Sequence, residues 1–87
     1  MLYEILTENK KRKSIENITS KYFEGFNTQL INGYWQNIKE SSLKISIIAD
    51  NSKKTNNNIK LIAQKIKDLN NQDAVLINKI NNEYQLI

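Results

Sequence analysis

The side chains that could do chemistry in this chain are carboxylates, lysines and tyrosines, because it contains neither Cys nor His. Zinc sites of the usual N/S kind, thiol nucleophiles and imidazole bases are therefore excluded. The nine carboxylates are scattered: Glu4, Glu40, Asp50 and Glu83 show no paired spacing that would suit glycosidase chemistry. The pattern predicts a protein that is not an enzyme and that carries no metal and no cofactor.

A basic run, Lys10–Lys13, precedes an apolar stripe of helical spacing. Amide N–H groups point outward at the start of a helix, so Arg12 and Lys13 are candidate ligands for a phosphate. Arg12 is the only arginine in the chain, and its guanidinium binds phosphate in a bidentate way that lysine cannot reproduce. The alternative is a solvated run of charge with no ligand.

A second candidate site is aromatic, since Tyr34 and Trp35 follow Gly33 directly and Lys39 comes four residues later. Such a pair could stack on a flat ligand while the lysine binds its charge. The alternatives are burial of Trp35 in a core or an interface, or an exposed aromatic strand that binds another protein.

Two amphipathic helices are expected. Ile15, Ile18 and Tyr22 are spaced by three and four residues, which predicts a helix over about 10–23 with Gly25 as its stop. A longer stripe that begins at Ile59 predicts a second helix over 59–70. The polar segment 50–58 before it is expected to be a loop.

The strands are predicted from short apolar runs. Strands are predicted over 2–7, 43–49 and 74–80, and residues 26–38 are expected to be extended. Residues 39–42 are expected to form a loop, and 84–87 a further short edge strand. Asn32-Gly33 indicates either a tight hairpin turn or a glycine bulge within one long strand.

The element order is β-α-β-β-α-β, which predicts one α+β domain over 1–87 with the ferredoxin-like arrangement. Two helices then cover one face of an antiparallel sheet, and Ile15, Ile18, Ile62 and Ile66 pack on one set of strand residues. That set is expected to be Leu43, Ile45, Ile47 and Leu76. The uncovered face is expected to carry Tyr3, Ile5, Leu30 or Ile31, Ile48, Val75 and Ile77. A chain of this size most simply covers such a face with copies of itself.

Composition bounds the setting of the protein. The net charge is +4, and the sequence holds fourteen Asn, twelve Lys and fourteen Ile, a usage typical of an AT-rich genome such as that of a low-GC bacterium or its phage. No apolar run is long enough to span a bilayer, and the N-terminus does not resemble a secretion signal. We expect a cytoplasmic protein without a membrane or nucleic-acid partner, since the strand 43–49 lacks the aromatic residues of an RNA-recognition motif.

The layout GFNTQLINGYW, a polar break, SLKISIIAD, a helix and DAVLINKI resembles the PII-like and divalent-cation-tolerance group of small trimeric proteins. The matching residues are Gly25, Thr28, Gly33, Tyr34 and Trp35. The resemblance implies a trimer whose sheets face inward and whose small anionic ligands lie in clefts between subunits.

These observations predict a non-enzymatic homo-oligomer that holds a small anionic, nucleotide-like ligand between subunits, with a counter-defence role if the chain is borne by a phage. The proposed contacts are Arg12, Lys13, Gly33, Tyr34, Trp35 and Lys39. The alternative is a protein-interaction module that inhibits a host enzyme through an exposed aromatic strand.

Overall fold

The computed structural model describes residues 1–87 with the exception of the Trp35 side chain. The elements are β1 (Leu2–Glu8), α1 (Arg12–Ser20), β2 (Asn27–Trp35), β3 (Ile38–Ile48), α2 (Lys53–Asn70) and β4 (Leu76–Ile80). All strand pairs are antiparallel and the strand order is β2-β3-β1-β4. This order and the two helices confirm the predicted ferredoxin-like α+β fold.

The core lies between the helices and one face of the sheet. Every second residue is buried there in β1 and in the part of β3 from Leu43 to Ile47, and Ile5 lies opposite Ile45 with both side chains fully buried. Ile15 of α1 packs against this surface, as do the buried isoleucines of α2. As predicted, Ile15, Ile62 and Ile66 are buried in one cluster with the β3 residues Leu43, Ile45 and Ile47, and Ile18 is partly buried against that cluster.

The assignment of β1 and β4 residues to the two faces was wrong in part. Residues that lie directly opposite each other share a face, and Ile5 lies opposite both Ile45 and Ile77, so Tyr3, Ile5 and Ile77 belong to the helix-covered face. Leu76 lies opposite Leu6 on the other face and is 55% exposed. Val75, also expected on the open face, packs against the core. The open face presents Ile31 and Ile48, as expected, together with Leu2, Leu6, Leu76 and Ile80.

Both helices differ in length from the prediction. α1 ends at Ser20, five residues before Gly25, and its last turn is closed by backbone N–H groups of Tyr22 and Phe23 that donate to Thr19 O. α2 begins six residues earlier than expected, because Ser52 caps it by accepting a hydrogen bond from Thr55 N at 3.1 Å. Residues 53–58 are therefore helical and not a loop.

The β2–β3 hairpin turns at Gln36 and Asn37, whose φ values of 49° and 64° are those of a two-residue type I′ turn. Of the two alternatives at Asn32-Gly33, the hairpin turn is wrong. One long strand passes through Gly33, as the other alternative expected, but Gly33 pairs with Glu40 without a bulge. The predicted loop 39–42 belongs to β3. Residues 81–87 form no strand, so the expected fifth strand is absent from the described chain.

The end of this hairpin extends beyond the rest of the sheet. β1 pairs with β3 only as far as Ser42, so residues 33–40 pair solely with one another. We call these residues the β arm. The arm contains three residue pairs, and at a rise of about 3.3 Å per residue it extends roughly 10 Å beyond the rest of the sheet. Neither helix of the described chain is long and apolar enough to cross a bilayer.

Candidate ligand-binding site

The β arm carries four of the six residues that the sequence singles out as ligand contacts: Gly33, Tyr34, Trp35 and Lys39. Tyr34 lies directly opposite Lys39, so the two side chains share one face of the arm. The Tyr34 ring is 71% exposed and Lys39 is exposed as well. A free aromatic ring beside a free ammonium group can stack on a flat molecule and bind its negative charge.

The two faces of the arm differ in charge. Glu40 lies opposite Gly33 on the face that does not carry Tyr34, and Ile38, 63% exposed, shares that face. The Tyr34–Lys39 face continues with Asn32 opposite Ser41, and it bears no carboxylate among the described side chains. An anion therefore meets attraction from Lys39 without a facing carboxylate.

Gly33 contributes space and not an unusual backbone conformation. Its φ is not positive, and a Cβ atom built there would meet Glu40 O and Ser42 Oγ at 3.9 Å, an ordinary contact distance. The question of whether Trp35 is buried or exposed lies outside the described residues, since its side chain is not described.

Arg12 lies elsewhere, at the junction of α1 and β2. Its Nη2 donates to Thr28 Oγ1 at 2.9 Å, and its Nε lies 3.4 Å from Glu16 Oε2. Thr28 Oγ1 in turn donates to Glu16 Oε2 at 3.0 Å. Arg12 thus has polar partners within its own subunit, while Lys13 is exposed.

The structure does not bring Arg12 and the arm together within one subunit. Thr28 and Tyr34 are six residues apart on the same strand, which corresponds to about 20 Å. The residues of the basic run Lys10–Lys13 also have separate partners and do not converge on one point. Lys10 pairs with Glu8 at 2.8 Å, and Lys11 Nζ donates to Leu69 O at 2.9 Å.

The open face holds an ion pair that sequence reasoning missed. Lys44 Nζ lies 3.5 Å from Glu4 Oε2, with side chains 26% and 17% exposed. Next to it an apolar row, Ile48–Leu2–Ile80, crosses three strands. The sequence did contain a signal for this pair. Glu4 and Lys44 each lie between two buried residues of their strand, so both side chains point to the opposite, open face of the sheet.

A second polar cluster stabilises the start of α2. Asp50 Oδ1 accepts hydrogen bonds from Thr55 Oγ1 at 2.5 Å and Ser52 N at 3.2 Å, and these bonds lower the pKa of the Asp50 carboxyl. The buried Tyr3 hydroxyl donates to Asp50 O at 2.9 Å. Burial and the charge of Asp50 raise the pKa of Tyr3, so its hydroxyl stays protonated at neutral pH. Among described residues, no three carboxylates converge as metal ligands would.

Comparison with known proteins finds a likeness in structure and none in sequence. No protein-family model matches the chain, and no curated protein matches it in sequence. Among solved structures, the chain is similar to a phage SAM lyase in complex with S-methyl-5'-thioadenosine, with a TM-score of 0.60 and 14% identity over 87% of this chain and 76% of that chain. At this identity the likeness supports the fold alone, and the PII-like resemblance stays a prediction.

Proposed function

We propose that this protein is a non-enzymatic binder of a small anionic, nucleoside-like ligand, which it holds between copies of itself in the cytoplasm. The observation that carries the proposal is the β arm, which presents Tyr34 and Lys39 side by side beyond the core of their own subunit. The ring supplies a stacking surface and the ammonium group binds a phosphate or carboxylate.

The arm needs a partner surface to become a site. A two-stranded ribbon with no packed face is at best marginally stable in water, and this one exposes Tyr34 and Ile38. A second copy can supply the missing wall while the apolar row of the open face is covered in the same assembly. The trimer implied by the PII-like resemblance is one such assembly.

Arg12 and Lys13 enter this proposal as residues of a neighbouring subunit. Thr28, which Arg12 contacts, lies about 20 Å along β2 from Tyr34, so a guanidinium beside the same ligand has to come from another copy. Gly33 lies on the opposite face of the arm, beside Glu40, so the space left by its missing side chain is there and not beside Tyr34 and Lys39.

The neighbouring fold favours a nucleoside-like ligand. The similar solved structure is a phage protein that holds S-methyl-5'-thioadenosine, and a phage protein that sequesters a host nucleotide would act in counter-defence. We propose binding without turnover because the chain has no His and no Cys and the Tyr34–Lys39 face bears no carboxylate among its described residues, which leaves only Tyr34 and Lys39 themselves for proton transfer.

Calorimetric titration with S-methyl-5'-thioadenosine and with adenosine mono- and diphosphate tests the proposal. We expect saturable binding by at least one of them, weakened tenfold or more by Tyr34→Ala and by Lys39→Glu. Tyr84→Ala and Lys21→Glu are matched controls, since Tyr84 is 56% exposed and Lys21 is exposed, both outside the arm. Absence of binding by all three compounds contradicts the ligand class, and cleavage of S-adenosylmethionine contradicts the absence of turnover.

A second candidate function rests on the same exposed arm. A monomer that presents Tyr34 and Ile38 to solvent fits a module that inhibits a host enzyme by docking its aromatic strand. Light scattering separates the two functions, because a monomer at micromolar concentration has no inter-subunit site. Iodide quenching of Trp35 fluorescence adds a second measurement: protection that depends on protein concentration favours the site between copies.

A further inference from the structure

A groove lies between α2 and β4, at the edge of the sheet farthest from the arm. It has two adjoining parts of about 320 Å³ and 390 Å³ that share Lys60 and Ile77. Its apolar lining consists of Tyr3, Ile59, Ala63, Val75 and Ile77. We call it the α2–β4 groove.

The rim of the α2–β4 groove is cationic. Lys60, Lys67 and Lys79 line it, and no carboxylate does so among the described residues. None of these three lysines forms an ion pair with a described carboxylate. Lys79 Nζ lies 5.9 Å from the centre of the Tyr3 ring. The rim therefore favours a negatively charged occupant.

The outer edge of β4 is open beside this groove. β4 pairs with β1 on one side and ends the sheet on the other within the described chain. A strand edge of this kind presents unpaired backbone N–H and C=O groups. The five residues of β4 span about 16 Å. On the open face of the sheet, Leu76 and Ile80 of β4 are 55% and 40% exposed.

We propose that the β4 edge binds an extended acidic peptide segment of a partner protein as a fifth strand. Side chains alternate along a strand, so the acidic residues of the segment meet Lys60, Lys67 and Lys79 in the groove. The intervening residues are apolar and pack beside Leu76, which lies outside the apolar row that self-association covers. This partner surface goes beyond the proposed ligand site, which lies at the opposite edge of the sheet.

A peptide fits the α2–β4 groove better than a small anion does. The other polar side chains of the lining are already engaged, since Asn56 Nδ2 donates to Ser52 O at 2.7 Å and Gln64 Nε2 to Asp68 Oδ1 at 2.9 Å. The lining thus offers a small molecule hydrogen bonds from the lysine ammonium groups alone. The open backbone of β4 supplies the hydrogen bonds that an added strand requires.

The test uses a fluorescein-labelled hexapeptide that alternates glutamate and valine, titrated with the full chain and followed by anisotropy. We expect saturable binding that weakens with salt and that slows amide exchange in residues 76–80. The double variant K60E/K79E should weaken binding at least tenfold. K53E/K54E is the matched control, because it makes the same charge change at exposed positions of α2 outside the groove, and it should stay within twofold.

Several results would overturn the proposal. Equal binding of a hexapeptide with the same residues in two blocks would indicate charge attraction without strand pairing. Displacement of the peptide by adenosine monophosphate, with amide shifts at the groove, would assign the groove to a small anion. Protection of residues 76–80 that rises with protein concentration alone would make a second copy the occupant.

Discussion

The guanidinium of Arg12 and the hydroxyl of Thr28 join α1 to β2, with Nη2 donating to Oγ1 at 2.9 Å. Glu16 Oε2 closes the triangle, because it accepts a hydrogen bond from Thr28 Oγ1 at 3.0 Å and lies 3.4 Å from Arg12 Nε. Since β2 is an edge strand, this triangle ties the outermost strand to a helix over the core.

Disrupting this triangle should cost stability in a non-additive way. We expect R12A and T28V each to lower the free energy of unfolding by about 1 kcal/mol, because R12A removes one hydrogen bond and an ion pair, and T28V two hydrogen bonds, at a partly exposed site. The double variant R12A/T28V should lose less than the sum of the two, since both remove one shared interaction. Urea unfolding of the four proteins measures this, and strict additivity would show that the two residues act independently.

The fold class is predictable from the sequence because the strands and helices that cover the core have apolar residues at the positions that are buried. Ile45 and Ile47 alternate with polar neighbours in β3, and Ile62 and Ile66 follow the helical period in α2, so the elements that cover the core are evident. The faces of β1 are harder to assign, because Leu2 and Leu6 are as apolar as Tyr3 and Ile5. Only the pairing of Ile5 with Ile45 distinguishes them.

The arm is the part that sequence patterns describe least well. The arm is held by cross-strand pairing and not by burial, so its strands have no apolar alternation. For this reason the polar stretch Lys39–Ser42 resembles a loop in the sequence. Asn32-Gly33 is a strong turn signal, yet the turn forms at Gln36 and Asn37, where it lets the β2–β3 ladder reach full length. The candidate residues Tyr34 and Lys39 were named from the sequence, whereas their direct pairing needed the register.

A charge on the open face should block self-association. Ile48 lies in the apolar row and is 53% exposed, so Ile48→Glu leaves the subunit folded but places a carboxylate in the proposed contact. We expect light scattering to report a smaller assembly and thermal unfolding to depend less on protein concentration. Leu61→Glu is the matched control on α2, 47% exposed. An equal effect of both variants would argue against the open face as the interface.

Acid should weaken the start of α2 through Asp50. Hydrogen bonds from Thr55 and Ser52 lower the pKa of this carboxyl in the folded state, so the folded chain binds a proton there less readily than the unfolded chain. The stabilisation is therefore complete at neutral pH and is lost as the pH falls below about 4 and through the folded pKa. Asp50→Asn should flatten the acid limb of a stability-against-pH curve. Asp73→Asn, at an exposed position, should flatten it less, and equal curves for the two variants would contradict this role of Asp50.

Alanine substitutions at Gly33 and Asn37 should have opposite effects on stability, because Asn37 lies in the turn whereas Gly33 lies within the strand. Gly33 lies within β2 without a positive φ and with room for a Cβ atom, so Gly33→Ala should raise stability by about 0.5 kcal/mol through the smaller entropy of the unfolded chain. Asn37 has a φ of 64°, a conformation that costs alanine about 1 kcal/mol. Asn37→Ala should therefore destabilise the arm, and Asn37→Gly should not. Urea unfolding together with amide exchange over residues 33–40 measures both effects, and a loss of stability in Gly33→Ala would place a turn or bulge at Gly33 after all.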